Sequence, residues 1–180
     1  MVDDKGPSCD GFPCEFYKTF WDEIGPDLHK VYIEAYNSCS LGNIINKGNI
    51  KFIPKVGDPE DICNWWPISL LNVSYKIIAK ALSLKIYHLP PQIIQPEQTS
   101  FIKSHYILDN IIVVWEGMEW AWHSKQKAIF LKIDFSKACD RIEWPFILAM
   151  LQALGFGPTF LQSVQMLFGD ASTYITINGY

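Results

Sequence analysis

The sequence predicts a mixed α/β fold, an α+β arrangement in which helices pack on a small sheet. Three observations carry this. Apolar residues recur at helical spacing in several long stretches, as in "CEFYKTFWDEI", where Phe16, Phe20 and Ile24 fall on one side. Short segments rich in β-branched residues stand between them, as in "NIKFIPK" and "STYITING". Helices and strands alternate irregularly, without the regular strand–helix repeat of a doubly wound sheet. A chain of 180 residues with 49% hydrophobic and 14% aromatic residues is about one domain's worth and carries enough apolar side chain for a core.

Taken in order, the first helix spans about 14–24 and stops at Gly25-Pro26; Pro26 or Asp27 then opens a second helix that runs to about Asn37. Residues 49–55 alternate and read as a strand, and "VGDPED" as a turn. "WPISLL" reads as extended, since Trp66 precedes a proline and is pushed out of the helical region. Asn72 caps a helix to about His88, with Ile77, Ile78, Ala81 and Leu82 on its apolar side. "PPQIIQPEQTS" is loop, and residues 106–123 are helical. "AIFLKID", Ala128–Asp134, is nearly continuous in apolar residues, as expected of a central strand covered on both faces. Helices near 144–154 and 158–168 and a final strand over "STYITING" complete the series.

Composition restricts function. The net charge is −4, with 6 Lys plus Arg against 11 Asp plus Glu in residues 1–61 and 9 against 8 in 62–180. Arg141 is the one arginine, which is poor equipment for phosphate recognition. The five cysteines are irregularly spaced with no CxxC pair, which argues against zinc and for reduced thiols in an intracellular protein. The first residues, "MVDDKGPSCDG", lack the apolar core of a signal peptide, and no apolar run is long enough to span a membrane.

The candidate site is the acid that ends the predicted strand. A carboxylate at the C-terminal edge of a buried strand stands where α/β folds bind ligands, and its charge must meet either solvent or a cation. An ordinary solvated acid is the plain alternative for Asp134, as a surface charge pattern is for Lys137, Asp140, Arg141 and Glu143.

Four longer words decide between them. "DGFPCEFYKTFW", "FIPKVGDPEDICNWWPISLLNVSYKIIAKAL", "QTSFIKSHYILDNI" and "LKIDFSKACDRIEWPFI" occur in this order at sensible intervals, from about Lys5 to Gly179. Together they resemble the reverse transcriptase of non-LTR, LINE-type retrotransposons, especially plant ones. The resemblance implies part of a right-hand polymerase, with helical fingers (about 1–125) packed on a small, incomplete palm sheet that starts within 126–180. It implies nucleotidyl transfer assisted by two divalent ions, with Mg²⁺ the expected metal, an RNA template and DNA primer as partners, and deoxynucleoside triphosphates as substrates. Asp134 matches the first catalytic aspartate and metal ligand, and the Phe135 carbonyl the ligand that assists it. Lys55 matches a phosphate or template contact, a solvated turn lysine being its plain alternative. Ala138 matches a small residue that lets the sugar approach, and Cys139 stands where the family has an aromatic residue beneath the sugar.

The sequence also departs from the family. "RPISLL" has become "WPISLL", so Trp66 replaces an arginine that meets the nucleotide's phosphates; "FIKGR" has become "FIKSH", so Ser104 and His105 replace glycine and arginine; and "PGPDGFP" has become "PSCDGFP". No "YADD", which supplies two more aspartates, follows Asp134. The expectation is therefore a polymerase fragment that is inactive as this chain, with non-specific self-association through apolar surface left open where palm and thumb would lie. The alternative is a non-catalytic retrotransposon remnant, acting at most as a weak nucleic-acid or protein-binding module.

Overall fold

A computed structural model describes residues 10–135 and 137–176 of the chain. In chain order the elements are α1 (Cys14–Thr19), α2 (Trp21–Ser38), α3 (Gly42–Ile45), β1 (Lys47–Pro54), β2 (Trp65–Leu71), α4 (Val73–Ile86), α5 (Pro90–Ile93), α6 (Ile107–Ser124), α7 (Trp144–Ala153), α8 (Pro158–Phe168) and β3 (Ser172–Ile175). The mixed α/β class expected from the sequence is the class observed. The strands form one sheet in the order β2-β1-β3, with β1 antiparallel to β2 and parallel to β3. Thus β3, distant in sequence, joins the sheet begun by the first hairpin.

The chain divides into two compact units, residues 1–83 with 148–180, and residues 84–147. The first holds the core. Ala35, Leu41, Ile78 and Met166 are buried together, and Leu28, Tyr32, Tyr36, Ile45, Tyr75 and Leu167 pack around them. Met166, 0% exposed, is the largest side chain sealed there together with Asn72. The helical spacing of Leu28, Tyr32, Ala35 and Tyr36 puts one face of α2 against this cluster. Polar side chains then tie the joints. Asn46 donates from its amide to the carbonyls of Leu167 and Gly169 at the end of α8, and the Ser172 N–H donates to the Asn46 carbonyl. Gly169 lies so close to the Cys39 carbonyl that a Cβ there would sit 2.6 Å from its oxygen. Glycine is required by that approach.

Several sequence expectations need correction. Gly25-Pro26 does not stop a helix. The break falls earlier, at Phe20 (φ −106°, ψ 28°), and α2 runs through the pair with Pro26 inside it. Proline this near a helix start removes one ladder bond, the one to the Asp22 carbonyl, and the packed face of α2 supports the remainder. Gly25 has a packing reason, since a Cβ there would meet the Trp21 ring at 3.2 Å. The loop 90–100 contains one helical turn, α5, opened by the proline pair. The Asn72 carbonyl accepts from Lys76 N–H at the start of α4, while its buried side-chain amide donates to the Ile44 carbonyl at 2.7 Å. So Asn72 also fastens α3.

The largest correction concerns Ala128–Asp134. It forms no strand, and residues 122–135 are exposed throughout. An apolar run marks a buried strand only where a neighbour supplies hydrogen bonds and cover. Among the described residues the sheet consists of β1, β2 and β3, and none of them pairs with this segment. In the second unit, Thr99 is the one buried residue among those described. Its side chain accepts a hydrogen bond from the Asn110 amide at 2.8 Å, joining the loop before α6 to that helix.

Candidate polymerase site

The residues singled out from the sequence fall in two places, one in each unit. In the second unit, Asp134 and Phe135 lie in the exposed segment that follows α6. Asp134 is therefore at the end of an apolar run, as expected, but not at the edge of a strand. Its carboxylate faces solvent, and Phe135 is exposed beside it. Ser136 lies outside the described residues. The chain then turns sharply. Lys137 is left-handed (φ 53°), and a 3₁₀ turn over Cys139–Arg141 follows, in which Asp140 N–H donates to the Lys137 carbonyl and Arg141 N–H to the Ala138 carbonyl. Ala138 precedes that turn and Cys139 is its first residue, with a free, exposed thiol. The sequence thus brings Asp134, Phe135, Ala138 and Cys139 into one short exposed segment.

Metal binding demands more than this. Among the described residues no three or more His, Cys, Asp or Glu side chains are gathered as a metal-holding group. Two divalent ions need several carboxylate oxygens between them. Asp134 alone is not such a donor set, so the described residues do not fit a complete two-metal site.

In the first unit, Lys55 follows the last residue of β1, and Trp66 is the second of β2. The two strands pair with Ile53 opposite Trp66, so Lys55, two residues beyond Ile53, projects to the same face as Trp66. The loop between them is held by its own atoms. Lys55 N–H donates to the Asn64 carbonyl at 2.7 Å, the Asp61 carboxylate accepts from Cys63 N–H at 2.8 Å, and the Trp65 indole N–H donates to the Pro59 carbonyl at 3.0 Å. Gly57 has φ 144°, which L side chains rarely adopt, and a Cβ there would sit 2.9 Å from the Asn64 amide nitrogen. Lys55 Nζ donates to the Cys63 carbonyl at 2.8 Å and lies 4.3 Å from the centre of the Trp66 ring. Sequence reasoning named Lys55 and Trp66 separately and missed their contact. The signal was the parity of an antiparallel hairpin, unusable without the register.

The second family departure, at Ser104 and His105, lies in the loop before α6. Ser104 is left-handed (φ 67°). His105 Nδ1 lies 2.7 Å from the Gln98 carbonyl, and Lys103 Nζ lies over the Tyr87 ring at 5.1 Å.

The family model described as reverse transcriptase (RNA-dependent DNA polymerase) matches residues 53–179, a span that includes Lys55, Trp66, Ser104 and the segment from Asp134 to Cys139. The chain belongs to the reverse transcriptase family. It is also similar to the protein named Transposon TX1 uncharacterized 149 kDa protein, from Xenopus laevis, at 34% identity over 178 residues. That alignment covers 99% of this chain and 14% of the relative, so the chain spans a small part of the protein it matches. Both findings support the kind of reverse transcriptase found in non-LTR retrotransposons. Reverse transcriptases in general act on a nucleic-acid template and primer with divalent metal ions. Among the described residues no helix is long and apolar enough to cross a membrane.

Proposed function

We propose that this chain supplies the fingers (about 1–125) and the start of the palm (126–180) of an RNA-directed DNA polymerase from a plant-type, LINE-type retrotransposon. The observation that carries the reading is the family match over residues 53–179, a span that takes in the end of β1, β2, Asp134 and β3. In this reading Asp134 and the Phe135 carbonyl contribute oxygen ligands toward Mg²⁺, which suits a hard cation. Ala138 leaves room for the sugar of a deoxynucleoside triphosphate. Cys139, smaller than an aromatic ring, leaves the space beside the 2′ position open. Lys55 stands at the hairpin position where the family pattern has a phosphate or template contact. One carboxylate does not hold two divalent ions, so no transfer step is assigned to the described residues by themselves.

The test is primer extension on an RNA template. The 180-residue chain is expected to give no extension with Mg²⁺ or Mn²⁺, and a chain extended with the family's "YADD" hairpin and thumb is expected to give extension that Asp134→Ala abolishes. Activity of the extended chain that survives Asp134→Ala would remove Asp134 from the site. A second reading, a non-catalytic nucleic-acid-binding remnant, is favoured by Trp66, which stands where the family pattern has an arginine. It predicts salt-dependent binding of an RNA–DNA hybrid with no extension even when the hairpin is restored.

A further inference from the structure

We propose that Trp66 withholds Lys55 from phosphate. The proposal rests on the reading of the β1–β2 hairpin as the part of the polymerase that meets the triphosphate, and it adds a device to that reading. An ammonium has three N–H donors and one compact charge. At Lys55 one donor is committed to the Cys63 carbonyl at 2.8 Å, and the face of the Trp66 indole lies 4.3 Å from the nitrogen, where the ring's negative quadrupole attracts the charge. The backbone of the same residue is fixed by its bond to the Asn64 carbonyl. The side chain is therefore already engaged by its own hairpin, through one of its donors and its charge, before any anion arrives.

The residue type at position 66 decides this. An arginine there, as in the family pattern, would set a guanidinium beside the ammonium. The two cations would repel, and both would be relieved by an anion between them. Tryptophan reverses the sign of that interaction. It attracts Lys55, closes the hairpin on itself and turns a paired phosphate clamp into a tie. The exchange therefore removes one cation outright and sequesters a second. Trp66 is 58% exposed, so the ring is held from one side only and is displaceable. Lys55 is thus a latent phosphate contact, gated by its neighbour.

Trace acylation of the 180-residue chain with acetic anhydride, read by mass spectrometry, tests this directly. Lys51, on the same strand, serves as the internal reference. Lys55 is expected to react about two- to fivefold more slowly than Lys51, the range set by an exposed cation–π contact. Trp66→Leu should raise the reactivity of Lys55 by about two- to fivefold, toward that of Lys51, and Trp66→Phe should keep most of the protection. Adding tripolyphosphate should then slow acylation of Lys55 in Trp66→Leu and Trp66→Arg, but not in the parent at the same concentration. Equal reactivity of Lys55 and Lys51 in the parent, or no change in Trp66→Leu, overturns the tie. Release of Lys55 in Trp66→Leu without protection by tripolyphosphate overturns its link to phosphate. Asp134→Ala should leave every one of these readings unchanged, so failure of the catalytic reading at Asp134 is distinguishable from failure here.

Discussion

The two compact units use apolar residues in opposite ways. In residues 1–83 with 148–180, Ala35, Leu41, Ile78 and Met166 are buried together and the joints around them are tied by Asn46 and Asn72. In residues 84–147 the apolar content is as obvious to the eye, yet Trp115 is 70% exposed and Trp122 is 83% exposed, and Thr99 alone among the described residues is buried. Apolar residues do not make a core unless a second surface meets them. The first unit has helix α8 and the β3 strand to close on; α6 and the segment after it have no comparable packing within their own unit.

The sharpest way to break this contrast is a pair of truncations. Met166→Ala should cost about 2–5 kcal/mol of stability, the range for emptying a buried site. Trp115→Ala should change stability by no more than about 0.5 kcal/mol, as for a surface position. Urea unfolding of both variants compares them, and an equal loss would erase the distinction. Next in size is Ser104→Gly. Serine at φ 67° carries backbone strain that glycine does not, so this variant should gain about 1 kcal/mol, measured by the same denaturation. The family's glycine at this position gives the substitution its physical logic.

Limited proteolysis sharpens the comparison without any mutation. Trypsin should cut first after Lys127 or Lys132, in the exposed segment, well before Lys76 or Lys80 in α4. Early cleavage within α4 would contradict the placement of the core. The same exposed segment and α6 should bind an apolar dye and promote association in size-exclusion chromatography, and a monomer with no dye binding would show that the apolar surface is covered.

The smallest effect is in pH. Burial raises the hydroxyl pKa of Tyr75 above its ordinary value near 10, and burial does the same at Tyr17, with a Ser74 hydrogen bond opposing. Folding thus favours the neutral phenols. Their contribution is complete below pH 10 and is lost as pH rises through the folded-state values. Stability should fall slightly above about pH 10, and Tyr75→Phe should flatten that fall in denaturation at high pH.

Local pattern made most of the fold legible. The hairpin of β1 and β2, α4, α6, α7, α8 and β3 were each readable from periodicity, β-branching or a proline, because those signals act over a few residues. The misreadings share a cause. Gly25-Pro26 carries the letters of a helix stop, but a glycine can serve ring packing and a proline near a helix start costs one bond. Ala128–Ile133 has the composition of a central strand, but strand formation depends on partners that composition does not specify. Of the candidate site, the order of family words located Asp134, Phe135, Ala138 and Cys139 in one short segment, and the left-handed residue Lys137 that stands between Phe135 and Ala138 was not readable from residue types. The contact between Lys55 and Trp66 depends on register and loop closure across ten intervening residues, which only the folded hairpin reveals.

The parallel pairing of β1 with β3 has a consequence for synthesis. Asn46 reaches Gly169 across 123 residues of sequence, and Lys47 pairs with Ser172. A nascent chain leaves the ribosome from its N-terminus, so the β1–β2 hairpin emerges long before the strand that completes its sheet. Closing so large a loop is entropically slow, and contacts of this range are late ones. For all that time β1 presents an open edge and the pocket for Met166 is empty. The first unit cannot reach its final stability while α8 and β3 are still being made. Ribosome-bound chains stopped before residue 158 should remain sensitive to protease at sites that the finished protein protects.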